Sequence, residues 1–153
     1  MPVVDHDMLF PADQEEVFGM IRRVDEFPRY ADAVESVTPL DDKTYRWQVR
    51  ANGMVFHWDV TIIDEDPPHM IRWQSLSGIR NTGHYRFSSV PGGTRVQLTI
   101  EYHLPTRLLD KTVGRVAKPI IHHISRQAFE RIRRSLINAR ALDSRNGSSG
   151  SKT

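Results

Sequence analysis

The chain has 153 residues, about one domain's worth, with 39% hydrophobic and 26% charged residues. That balance excludes a disordered or fibrous chain, and no run approaches the roughly 20 apolar residues a membrane-crossing helix needs. The sequence contains no cysteine, so it has no disulfide framework, no Cys-ligated zinc and no thiol nucleophile; a reducing cytoplasm fits that composition. The first ten residues carry acids and a histidine where a secretory leader has basic residues and a long apolar stretch. Net charge is +2 but unevenly placed, with ten Lys/Arg against three acids over 106–145 and ten against sixteen over 1–105.

In chain order, Val3–Phe10 reads as a strand. Asp13 then caps a helix whose third position is Glu16, and Val17, Met20, Ile21 and Val24 recur at the spacing of one buried helical face. Pro28 interrupts, and a second short helix is expected over 29–34. From Glu35 the pattern changes to period two. Tyr45, Trp47 and Val49 alternate with Arg46, Gln48 and Arg50, and Asn52-Gly53 marks a tight turn. Met54, Phe56, Trp58, Val60 and Ile62 share the next face, with His57, Asp59 and Thr61 opposite. Further alternating runs hold Ile71, Trp73 and Ser75, then Tyr85 and Phe87, then Val96, Leu98, Ile100 and Tyr102. Such short connections imply an antiparallel meander with one wet and one dry face.

Residues 108–142 have helical period. Ala117, Ile121, Ile124, Ala128, Ile132, Ser135 and Ala139 fall on one stripe, and Pro119 is expected to kink the helix or begin it. A second stripe carries Arg115, Arg126, Arg133 and Arg140, a surface to which an anionic membrane could be drawn transiently. The polar end, 143–153, is read as a disordered tail beyond a single domain over 1–142. A curved sheet with one long amphipathic helix must fold around that helix, because nothing else in the chain is large enough to cover it.

The order of elements resembles the START-like helix-grip fold (SRPBCC), in its polyketide cyclase/dehydrase and lipid-transport branch. Residues 10–18, with Pro11-Ala12 before acids and Val17-Phe18, are similar to that branch's opening of its first helix. Asp25-Glu26-Phe27-Pro28-Arg29-Tyr30 is similar to its Asp-x-Phe-Pro-x-aromatic turn. The runs 71–75, 83–87, 94–98 and 101–102 follow its strand pattern. The resemblance implies an α+β helix-grip domain: a curved antiparallel sheet of six to seven strands around a long C-terminal helix, with two short helices after the first strand. It also implies a cavity for a lipid, polyketide or isoprenoid-like molecule, and it transfers no catalytic set.

From the sheet, Trp58, Trp73, Tyr85, Phe87, Val96, Leu98, Ile100 and Tyr102 should line that cavity, and from the helix Ile121, Ile124 and Ala128. Ser75, Arg80, Asn81, Tyr85 and Tyr102 are the polar candidates for orienting a ligand. His122-His123 cannot share a metal easily, since helical neighbours point about 100° apart, and no metal or other cofactor is expected. Nucleic acid is excluded as a partner because the aromatics lie opposite the basic residues along the strands. Two readings follow: a hydrophobic-ligand binder, and a polyketide aromatase/cyclase or dehydratase using the same cavity.

Overall fold

The computed structural model describes residues 3–51, 53–103 and 113–150, with side chains in the last segment described over 118–142. Strand β1 (Val3–Phe10) leads into helix α1 (Gln14–Arg22) and a 3-10 helix (Val24–Arg29). Six strands follow: β2 (Val34–Pro39), β3 (Thr44–Ala51), β4 (Met54–Asp66), β5 (Met70–Gly78), β6 (Arg80–Val90) and β7 (Gly93–His103). Helix α2 (Val113–Gly150) closes the chain.

The strands form one antiparallel sheet in the order β1-β7-β6-β5-β4-β3-β2. Five neighbouring pairs are consecutive in sequence, as hairpin-length connections dictate. The remaining pair joins the two ends of the strand series: β1 runs beside β7, with Val3 opposite Glu101 and Phe10 opposite Thr94. Register slips between Asp59 and Val60, and again between Ile62 and Asp64, where β4 meets β5. An extra residue on one strand bends it and raises its twist, which curls the middle of the sheet.

The alternation expected along the strands is the alternation seen. Tyr45, Val49, Val60, Ile62, Ile71, Phe87, Val96, Leu98 and Tyr102 are buried on the concave face. On the convex face the Asp59 carboxylate accepts from Nε and Nη2 of Arg46, at 2.9 and 3.0 Å. Asp13 caps α1 as its spacing predicts, its carboxylate accepting the Glu16 N–H at 2.8 Å.

Two local expectations need correction. The second short helix lies at Val24–Arg29 rather than over 29–34. Pro28 is accommodated near the end of that 3-10 turn, and β2 begins at Val34. The buried face of α2 is also rotated from the expected stripe. Ser125, Ala128, Phe129, Ile132 and Leu136 are buried, whereas Ser135 and Ala139 are exposed. The expected stripe follows small and aliphatic residues at 100° steps, whereas the face turned to the sheet is the neighbouring one that carries the larger Phe129 and Leu136. The helix runs through Pro119. The expected tail, 143–153, overlaps its last turns, and the side chains there lie outside the described residues.

Helix α2 is held across the sheet by packing and by a polar clasp. Phe129 is 1% exposed and meets the Phe10 ring edge-on at 5.4 Å between centroids. Asp32, in the turn before β2, accepts Arg131 Nη1 and Nη2 at 2.8 and 3.0 Å. Gln127 bonds the same residue's backbone N–H and carboxylate at 2.9 and 3.1 Å.

Candidate functional site

Between the concave face and α2 the two surfaces do not mesh. They leave a cavity of ≈ 190 Å³, partly open to solvent, whose walls come from α1, the 3-10 helix, strands β3 to β7 and α2. Wide aromatic side chains on a curled sheet keep the helix at a distance, and the slim Ala128 and Ser125 on the helix do not fill the gap.

The far end of the space is sealed by α1. Gln14 at its first turn donates to the carbonyls of Pro68 and Phe87, at 2.9 and 3.0 Å. Arg22 at its last turn binds Glu65 at 2.7 Å and donates to the Tyr45 hydroxyl at 2.8 Å. Arg22 and Glu65 thus sit behind the Tyr45 wall and off the lining.

Two aromatic arrays form the walls. Trp47 and Trp58, directly opposite on β3 and β4, stack at 5.9 Å with planes 11° apart, and Phe27 meets Trp47 edge-on. Across the sheet Trp73 and Tyr85 form the second, with centroids 5.4 Å apart, backed from the core by Phe87 at 6.1 Å and capped by Phe129 at 6.3 Å from Tyr85. Such offset contacts add to the simple burial of ring area and hold the walls rigid.

The polar groups at the lining are mostly occupied. Asn81 Oδ1 accepts the Trp73 indole N–H at 3.0 Å, and its Nδ2 donates to the Ile79 carbonyl at 2.9 Å. The Asn81 backbone N–H donates to Ser75 Oγ at 3.0 Å. Ser125 donates to the Ile121 carbonyl at 2.9 Å. Others are not: among the described residues nothing hydrogen-bonds the Tyr85 or Tyr102 hydroxyl, and Trp47 Nε1 is buried without a partner. Burial pushes the Tyr85 phenol well above its usual range, and burial also raises Tyr102. Among the described residues no charged side chain lines the cavity.

The sequence-expected residues can now be placed. Trp58, Trp73, Asn81 and Tyr85 line the cavity from β4, β5 and β6, and Leu98, Ile100 and Tyr102 from β7. Ile121, Ile124 and Ala128 line it from α2. Ser75 stands just behind, holding the Asn81 backbone. Phe87 lies under α1 against Phe18, and Val96 is wholly buried, so both are core rather than wall. Arg80 is exposed at the start of β6, opposite His103.

Sequence reasoning missed Phe129, which the rotated helix face brings in, and the side of the wall supplied by Ile21 of α1 and Val24 of the 3-10 helix. The helical spacing of those two was visible, but not that α1 would lie across the end of the sheet. Of the basic stripe, Arg126 pairs with Glu130 and Arg140 donates to the Pro11 carbonyl; the Arg115 side chain lies outside the described residues. No helix among the described residues is long and apolar enough to cross a membrane.

A curled antiparallel sheet gripping one long helix around an apolar hollow defines a helix-grip protein of the START type. The profile of the polyketide cyclase/dehydrase and lipid transport family matches residues 1–136, and the chain belongs to that family. Solved structures of similar shape include DR_A0006 from Deinococcus radiodurans, 24% identical, covering 90% of this chain and 99% of that one with a TM-score of 0.67. TTHA0849 from Thermus thermophilus is 25% identical over 86% of this chain and 97% of its own, at a TM-score of 0.68. The Zhui aromatase/cyclase from a Streptomyces species is 17% identical over 84% and 87%, at 0.65, a likeness of fold alone. No curated protein matches the sequence.

Proposed function

We propose that residues 1–142 act as one unit that binds a hydrophobic small molecule in the cavity between the sheet and α2. The observation that carries this reading is the partly open hollow of ≈ 190 Å³, walled by stacked aromatics and, among the described residues, by no charged side chain. Burying apolar ligand surface there gains roughly 25 cal/mol per Å² before the costs of association. Trp58, Trp73, Tyr85, Leu98, Ile100, Tyr102, Ile121, Ile124 and Ala128 supply the contact surface, and Asn81 with Ser75 behind it fixes the Trp73 indole. The cysteine-free composition accords with a cytoplasmic setting.

The alternative, a cyclase or dehydratase, needs a group that moves a proton. Arg80 is off the lining, and burial holds Tyr85 in its neutral form, so it is a poor base at neutral pH. Binding without turnover is the better-supported reading.

All three tryptophans of the chain line the cavity, so their emission reports its occupancy. Nile red added to solvent-extracted protein should quench that emission and be displaced by an apolar competitor such as 1-decanol. Native mass spectrometry of protein that has not been extracted should carry an adduct. Neither adduct nor dye binding would leave the hollow without a ligand and end this reading.

A further inference from the structure

Resting on the cavity reading above, we infer that the site selects a compact, uncharged ring compound carrying one hydrogen-bonding oxygen, anchored by the Tyr85 hydroxyl, and rejects the ionised acid of the same shape. Three observations carry this.

The first is size. A cavity of ≈ 190 Å³ lies near the roughly 150 Å³ that holds a benzene-sized guest and below the roughly 300–1,000 Å³ usual for larger ligands. One or two fused rings fit it better than a long chain, and Trp47 with Trp58, planes 11° apart, makes a flat wall, to which Trp73 and Tyr85, tilted 43° to each other, add further ring surface.

The second is the state of the polar groups. Asn81 and Ser125 already spend their hydrogen bonds on Trp73, Ile79 and Ile121. The Tyr45 hydroxyl accepts from Arg22. Tyr85 and Tyr102 line the cavity with hydroxyls unbonded among the described residues, and neither atom is among the side-chain polar atoms sealed off by protein, whereas Trp47 Nε1 is sealed; of the two phenols, Tyr85 is the one flanked by the rings of Trp73 and Phe129. A buried donor without an acceptor is costly, so a ligand oxygen placed there recovers what water would otherwise supply.

The third is charge. Arg22, bonded to the lining residue Tyr45, is paired with Glu65 behind it, and Arg126, exposed on α2, is paired with Glu130. A carboxylate carried into this space would lose its hydration and meet no partner among the described lining residues, a cost that an alcohol or ketone avoids. The phenol, held protonated by burial, acts as a donor to a neutral oxygen.

Three naphthalenes of matched shape test this on the full-length, solvent-extracted protein by isothermal titration calorimetry at pH 7. We expect 2-naphthol to bind more tightly than naphthalene, and 2-naphthoate to bind at least about tenfold more weakly than 2-naphthol. Tyr85→Phe should weaken 2-naphthol by about three- to tenfold while leaving naphthalene within about twofold. Naphthoate binding as tightly as naphthol, or an unchanged naphthol-to-naphthalene ratio in Tyr85→Phe, overturns the inference. If Nile red binds but none of the naphthalenes does, the cavity reading survives and this one falls. If no apolar probe binds, both fall.

Discussion

A single missing side chain shapes one wall of the cavity. Gly83 on β6 lies directly opposite Trp73 on β5, and the indole lies across the space a side chain at 83 would fill. A Cβ there would overlap the Trp73 ring and sit 2.6 Å from the Thr99 carbonyl oxygen. Gly83→Ala must therefore drive the ring toward the cavity and strain its bond to Asn81. Overpacking of this kind costs about 1–3 kcal/mol. Urea denaturation should show a loss in that range, accompanied by weaker Nile red binding; an unchanged midpoint with unchanged dye affinity would contradict the wall's dependence on this glycine. Gly78 poses the same problem in the β5–β6 turn, with φ at +77° and the His57 carbonyl packed where a Cβ would go. The alternation of Trp73 and Tyr85 was readable from sequence because strand period alone sets the face. The need for glycine at 83 was not, since it depends on which residue lies across from Trp73 once β5 and β6 are in register.

At the scale of elements, β1 meets α2 through a pair of histidine rings beside the apolar packing of Phe10 on Phe129. His6 points inward from β1, its ring stacked on that of His122 with centroids 4.4 Å apart and on the edge of Phe129 at 6.1 Å. The His6 Nε2 is buried with no hydrogen-bond partner. Burial first, then the neighbouring His122 and Arg126, lowers its pKa below the ordinary 6.5, with Asp5 opposing. The unfolded chain thus binds the proton more readily than the native one. Stability is fully present above about pH 6.5 and falls as pH drops toward the folded-state pKa. His84, lowered by burial and by Arg86 and Arg72, adds a slope of the same sign. Melting temperature should decline between pH 7 and pH 5, and His6→Gln, though less stable overall, should show a shallower decline. An identical slope in the variant would remove His6 from the account. The spacing on α2 showed that His122 and His123 could not pair with each other; that His122 would meet His6 follows only from the rotation of the helix.

For the molecule as a whole, the grip rests on a few rings shared between layers. Phe129 touches the rings of Phe10 and His6 on β1 and Tyr85 on β6, so it joins the helix to both sides of the β1–β7–β6 edge. Truncation of a buried Phe costs about 3–5 kcal/mol, a large share of the roughly 5–15 kcal/mol a domain possesses. Phe129→Ala should lower the denaturant midpoint accordingly and enlarge the cavity beside Tyr85. A loss below about 1 kcal/mol would mean that the polar clasp of Asp32 with Gln127 and Arg131 holds the helix instead.

The amino-acid order by itself determined the local features: six alternating or extended runs, a capped first helix, an amphipathic last helix, and connections so short that successive strands had to pair antiparallel. These depend on neighbours a few residues apart, whose geometry is set by the period of each element. Tertiary structure alone decided where β1 pairs, how far α2 is rotated, that α1 closes one end, and that a hollow survives between helix and sheet. Each of those depends on the curl that bulges impose on β4 and β5 and on the fit of side chains far apart in the chain. A void is a difference between two surfaces, and neither surface's sequence pattern contains it.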